Sequence, residues 1–191
     1  MPHSFCIDLT TEEKNQLLGI ARTSIESGLQ GTNTPTLDIS HFSGNLARAL
    51  ASFVTLTQND DLRGCMGSLE ASVPLAQSVA INAYNAAFRD PRFAKLTEAE
   101  SNQTNIDISV LSPMQSMLVK NRKDLLNQLK PDIDGLLLED SGHRATFLPK
   151  VWEKLSADEF LRHLWTKAGL PVGYWSESIR FSRYHTVSFS E

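Results

Sequence analysis

The stretch Leu62-Arg63-Gly64-Cys65-Met66-Gly67 resumes an extended run after Phe53-Val54-Thr55-Leu56-Thr57, with the turn-forming residues Gln58 to Asp61 between the two. Aromatic and β-branched side chains favour a pleated backbone, and two such runs joined by a short polar turn read as a hairpin. Cys65 then sits at or near a strand end. Working outward, Pro74 at a first helical position opens a helix with Leu75, Ala76, Val79, Ala80, Ala83 and Ala87 on one small-residue face, which can pack closely on a sheet. The helix stops before Pro91, because the residue preceding proline avoids the α region.

Toward the N-terminus, Thr10 and Glu13 have the spacing of a capping box, and Leu17, Ile20, Ala21 and Ile25 recur at helical spacing, so residues 11–27 read as an amphipathic helix. Residues 28–45 are rich in Gly, Thr, Asn, Ser and Pro and read as loop. Toward the C-terminus, Ile106 to Leu111 alternate apolar and polar side chains, the mark of a half-buried strand. Residues 122–129 form a short helix stopped by Pro131. Leu136–Leu138 and Ala145–Leu148 flank the turn Asp140-Ser141-Gly142-His143 and make a second hairpin. Ser156 and Glu159 cap a helix that buries Phe160, Leu161, Leu164 and Trp165 and ends at Gly169. Residues 179–189 alternate in two phases and read as one last strand, bulged near Arg183 or Tyr184. Hairpins separated by helices predict an α+β fold, with a mainly antiparallel sheet, flanking helices, and a larger and a smaller lobe.

The chain has 191 residues, 41% of them hydrophobic, and a formal net charge of −4, the composition of one globular unit with its own core. Residues 1–100 carry 7 basic and 11 acidic side chains and residues 101–191 carry 11 of each. Neither half is basic enough to argue for nucleic acid by bulk electrostatics. The local group Arg162, His163, Lys167, Arg180 and Arg183 leaves an RNA-associated role as the weakest reading. No apolar run approaches the ~18 residues that span a bilayer, so a soluble, cytoplasmic protein is expected. Cys6 and Cys65 make neither a disulfide framework nor a metal knuckle, both thiols are expected reduced, and no metal or cofactor motif is evident.

The LRGCMG segment is built like a site. Arg63 brings a fixed cation with a planar fork of donors, Cys65 a polarisable thiol, and Gly64 and Gly67 allow close approach to the backbone. Cys65 is a candidate nucleophile; the competing reading is a small buried residue filling a strand end. Its base would have to come through the fold from His41, His143 or His185. Arg63 must meet an anion, either Asp90, another carboxylate or a ligand. Asp90 with Arg92 is expected to lock a loop, and the sharper alternative gives Arg92 to a phosphate or carboxylate ligand. His143 at the second hairpin tip, and Thr146 beyond it, complete the candidate anion-binding set.

Four patches taken in order carry a resemblance: 53–56 with LRGCMG; AAFRDPRF at 86–93; Ile106 to Pro113; and ATFLP at 145–149 followed by EFL at 159–161 and KAGL at 167–170. Together they resemble the AMMECR domain family, whose bacterial and archaeal members are called AmmeMemoRadiSam system protein A. The resemblance implies a single AMMECR-type domain over residues 1–191, divisible into two sub-lobes, in a family often encoded beside or fused to a Memo-like domain and a radical S-adenosylmethionine (radical SAM) protein. No fused Memo-like partner is expected from these 191 residues, so joint action would be in trans. The sequence departs from the family pattern at Met66, where isoleucine is usual, and at Ala94-Lys95, where prolines commonly follow. Two functional readings follow: an enzyme, or its accessory subunit, that modifies a small molecule or nucleotide, and a non-catalytic module that docks a Memo-like or radical SAM partner.

Overall fold

A computed structural model describes residues 7–33 and 36–191; Cys6 lies outside them. The chain divides into two compact units, one made of Ile7–Leu111 with Val187–Glu191 and the other containing Ser112–Thr186. Each has its own apolar core.

In the first unit α1 (Thr11–Leu29) starts at the Thr10/Glu13 capping box, whose reciprocal hydrogen bonds both form. β1 (Ser52–Gln58) and β2 (Asp61–Gly67) make an antiparallel hairpin. Its two turn residues, Asn59 and Asp60, have φ of 50° and 68°, the left-handed pair that matches strand twist in a tight hairpin. Leu56 faces Gly64 while Thr57 faces Leu62, so Arg63 is the extra residue of a β-bulge, a distortion that re-aims a side chain out of the ladder. α2 (Leu75–Phe88) begins one residue after Pro74, which serves as its N-cap rather than its first residue. Its alanine face lies against the hairpin so closely that a Cβ at Gly64 would stand 2.2 Å from the Ala86 carbonyl oxygen. The four-residue α3 (Glu98–Ser101), opened by a Thr97/Glu100 capping box, leads into β3 (Asn105–Leu111), antiparallel to β1. β3 is buried on both faces over its last four residues, where half-burial was expected. Ser109 on the alternate face is enclosed and hydrogen-bonds Ser188 at 2.8 Å.

The second unit has β4 (Gln115–Met117), α4 (Arg122–Gln128), the hairpin β5 (Gly135–Asp140) and β6 (His143–Phe147), α5 (Ala157–Lys167) and β7 (Arg180–Tyr184). The sheet order is β4-β7-β5-β6, antiparallel throughout. α5 is capped at Ser156/Glu159 and turned off at Gly169 with φ 73°. It buries Phe160 and Trp165, and Trp152 stacks on Phe160 with ring centroids 3.8 Å apart.

The tail corrects the sequence expectation. It is two strands, β7 and then β8 (Thr186–Ser190), in two different sheets, with His185 between them; the first sheet runs β2-β1-β3-β8. The two phases of alternation are two strands burying different sets, Phe181 and Tyr184 in one, Val187 and Phe189 in the other. The architecture is α+β. No helix among the described residues is long and apolar enough to cross a membrane.

Candidate functional site

β2 is an edge strand, so the peptide of Cys65 has no neighbouring strand on its outer side. The segment after α2 covers it instead. Asp90 is buried, and its Oδ2 accepts the Cys65 N–H at 2.9 Å. Arg92 donates through Nη2 to the Cys65 carbonyl at 3.3 Å. The two side chains are joined by Arg92 Nε to Asp90 Oδ1 at 2.9 Å and Nη2 to Oδ2 at 2.7 Å. The ring closes both backbone groups of Cys65 as a paired strand would. The Arg92 hydrogen bonds hold the Asp90 carboxyl well below the usual carboxylate range against the opposing effect of its burial, and the same contact pushes Arg92 up.

Arg63, thrown out of the ladder by the bulge, is 11% exposed and meets Glu100 rather than Asp90. Its Nε and Nη2 donate to the two Glu100 oxygens at 3.1 and 3.2 Å, and Nη2 also reaches the Ala94 carbonyl at 3.0 Å. The guanidinium, with help from the Thr97 cap, draws Glu100 down to about 2. Nη1 is enclosed without a hydrogen-bond partner. The Phe93 ring lies 5.9 Å from the Arg63 Cζ and 5.5 Å from that of Arg92, within cation–π range. Two cations and two carboxylates thus balance around one aromatic ring. Arg89 remains exposed, over the Tyr84 ring at 5.2 Å.

Cys65 is a free thiol of intermediate exposure. Gly64 faces α2, so the neighbouring Cys65 points to the other face of the sheet. There it is in register with Thr55, which is in turn in register with Asp107. Thr55 Oγ1 donates to its sulfur at 3.3 Å. Of the three histidines considered as its base, only His41 belongs to the same unit. His41 is exposed beside Asp38; His143 and His185 belong to the second unit. Gly67 faces the Phe53 ring, 2.3 Å from where a Cβ would stand.

His143 and Thr146 are not gathered with Cys65; each is engaged within the second unit. His143 Nδ1 lies 2.7 Å from the Ala168 carbonyl and caps the C-terminus of α5. Thr146 Oγ1 donates to the Leu136 carbonyl and contacts the buried Tyr184 hydroxyl at 2.7 Å. Sequence reasoning missed two buried carboxylates there. Asp134, just before Gly135 at the start of β5, is fully buried with Oδ1 3.0 Å from His185 Nε2 and Oδ2 accepting the Lys130 N–H. Asp140 accepts from Ser178 at 2.5 Å. Among the described residues, no group of three or more His, Cys, Asp or Glu side chains is placed to hold a metal ion.

Fold and site define a class: two-sheet α+β proteins in which a glycine-flanked Arg-Gly-Cys edge strand is closed by an Asp-Pro-Arg-Phe loop. The AMMECR1 family model matches residues 18–189, and the chain belongs to the AMMECR1 family. It is 32% identical over 191 residues to protein MJ0810 of Methanocaldococcus jannaschii, covering 96% of this chain and 92% of that one. It is 36% identical over 193 residues to protein SSO0193 of Saccharolobus solfataricus, covering 96% and 84%. The crystal structure of the uncharacterised protein PH0010 from Pyrococcus horikoshii superposes with a TM-score of 0.82 at 27% identity, covering 92% of this chain and 89% of that one.

Proposed function

We propose that this chain is a non-catalytic component of an AmmeMemoRadiSam-type system, acting in the cytoplasm as a docking module for a Memo-like or radical SAM protein in trans. One observation carries the reading: the fixed charges of the LRGCMG and DPRF segments are matched within the chain, Arg63 by Glu100 and Asp90 by Arg92. These pairings build a rigid edge and occupy the Nε–Nη2 fork of both Arg63 and Arg92, although Arg63 Nη1 is left without a partner. What the hairpin offers outward is a face of Phe53, Thr55 and Cys65, partly exposed, with Asp107 in register beside Thr55 and flanked by the exposed Leu62. A mixed aromatic, hydroxyl and thiol face suits a protein partner better than a charged metabolite.

The enzyme reading rests on the same thiol. It is favoured by the partial exposure of Cys65 and by the nearby Arg92, and weakened because Thr55, its hydrogen-bond partner, is no base. Size-exclusion and calorimetric titration of the chain with purified Memo-like and radical SAM proteins of the same organism separate the two. Docking predicts a complex that Cys65→Ser retains within about twofold. Absence of any complex with either protein defeats the docking role. A folded Cys65→Ser variant that still binds but loses the system's activity establishes thiol chemistry instead.

A further inference from the structure

The second unit has a cleft of about 540 Å³ lined by Val119, Lys120, Trp175, Ser176, Ile179 and Arg180, with Glu177 at its wall. Its volume lies in the ~300–1,000 Å³ range of small-molecule pockets. The indole of Trp175 is half-buried and fixed from behind, stacked on the buried Phe181 with centroids 5.5 Å apart. Phe181 is in turn packed edge-on against Trp165. A rigid aromatic ring beside Val119 and Ile179 makes an apolar wall for a flat group.

The two cations are differently placed from those around Cys65. Arg180 is tied down through one nitrogen, Nη1 donating to the carbonyls of Glu177 and Ile179 at 2.8 and 3.0 Å. Its cross-strand neighbour Glu139 is already paired with Arg144, so Nε and Nη2 of Arg180 keep their donors for another anion. The Lys120 backbone N–H is held by Asp124, which also accepts from Gln128. The Gln128 side chain and then the Lys120 backbone N–H hold the Asp124 carboxyl below its ordinary range, and the Lys120 ammonium makes no hydrogen bond of its own among the described residues. Glu177 adds an acceptor for hydroxyl or amino groups. By contrast, the groove of about 310 Å³ lined by Gln16, Ile20, Leu37 and Phe42 among others has no charged side chain among its described residues to orient a ligand.

We infer that the Trp175 cleft binds a nucleoside monophosphate, the base against the indole and the phosphate between Lys120 and Arg180, with Glu177 accepting from the sugar. This is independent of the docking role assigned to the Cys65 face. The test titrates the intact chain with AMP, adenosine and inorganic phosphate by calorimetry, with tryptophan fluorescence in parallel. AMP should bind saturably, and adenosine and phosphate each at least about tenfold more weakly. Lys120→Gln and Arg180→Gln should each weaken AMP by about tenfold or more with melting temperature unchanged. Trp175→Phe, which keeps a ring on Phe181, should retain calorimetric binding within a few-fold while losing the fluorescence change. No saturable AMP binding up to about 10 mM, or binding that neither charge variant weakens, overturns the assignment.

Discussion

The Asp90 carboxylate accepts a hydrogen bond from the backbone N–H of Cys65 at 2.9 Å, across a separation of 25 residues. A loop side chain thereby does for an edge strand what a neighbouring strand does for a central one, and Arg92 completes the pairing at the Cys65 carbonyl. The Asp-Pro-Arg-Phe segment is in this sense part of the sheet.

Removing one member of a buried, hydrogen-bonded ion pair leaves the other uncompensated. Asp90→Ala should cost about 2–4 kcal/mol in urea unfolding, since it frees the Cys65 amide and strands Arg92. Arg92→Ala should cost less, because Arg92 is half exposed and water can take its place at the Cys65 carbonyl. Equal losses would show that the backbone contacts to Cys65 are not what Asp90 contributes.

Acid should weaken the first unit in a defined window. Glu100 falls from its ordinary 4.5 to about 2 in the fold, so its contribution is complete above pH 4.5 and is lost as pH falls toward 2. Asp90 is lowered as well and acts in the same direction, from its ordinary 3.8 downward. Glu100 is about one-third exposed, so solvent screening reduces its share to about 1–2 kcal/mol. Glu100→Gln should flatten the decline of unfolding free energy between pH 4.5 and 2; an unchanged slope would count against the pairing.

Glycine at position 64 follows from packing against α2. A Cβ there would meet the Ala86 backbone oxygen at 2.2 Å, an atom that cannot swing aside. Gly64→Ala should therefore cost about 2–4 kcal/mol. Gly19→Ala, in α1 with nothing within 4 Å of its Cβ, should be neutral or stabilise by up to about 1 kcal/mol. Matched small effects at both positions would mean that the hairpin and α2 can separate without loss.

Much of the fold was legible locally. The capping boxes at Thr10/Glu13 and Ser156/Glu159, both hairpin turns and the small-residue face of α2 are written in short-range spacing. The same signature at Thr97/Glu100 was overlooked, and with it the partner of Arg63. The alternation of residues 179–189 in two phases was visible, yet the separation of β7 from β8 depends on which sheet each strand joins, which no local pattern states. Arg63 was legible as a cation needing an anion. That the anion is Glu100, 37 residues away, is set by the bulge and by where α3 begins. The burial of Asp134 opposite His185 was equally hidden, because a turn-forming Asp-Gly pair reads the same whether its carboxylate faces water or core.

The most direct test of the claim that the motif's charges are matched inside the chain is a double-mutant cycle on Arg63 and Glu100, using Arg63→Gln, Glu100→Gln and the pair, followed by chemical unfolding. Internal matching of the charges predicts a coupling of about 1–2 kcal/mol, with the double variant less destabilised than the sum of the singles. Coupling indistinguishable from zero, with stability unchanged in Arg63→Gln and partner binding or activity lost, would place the Arg63 cation at the service of a ligand and contradict it.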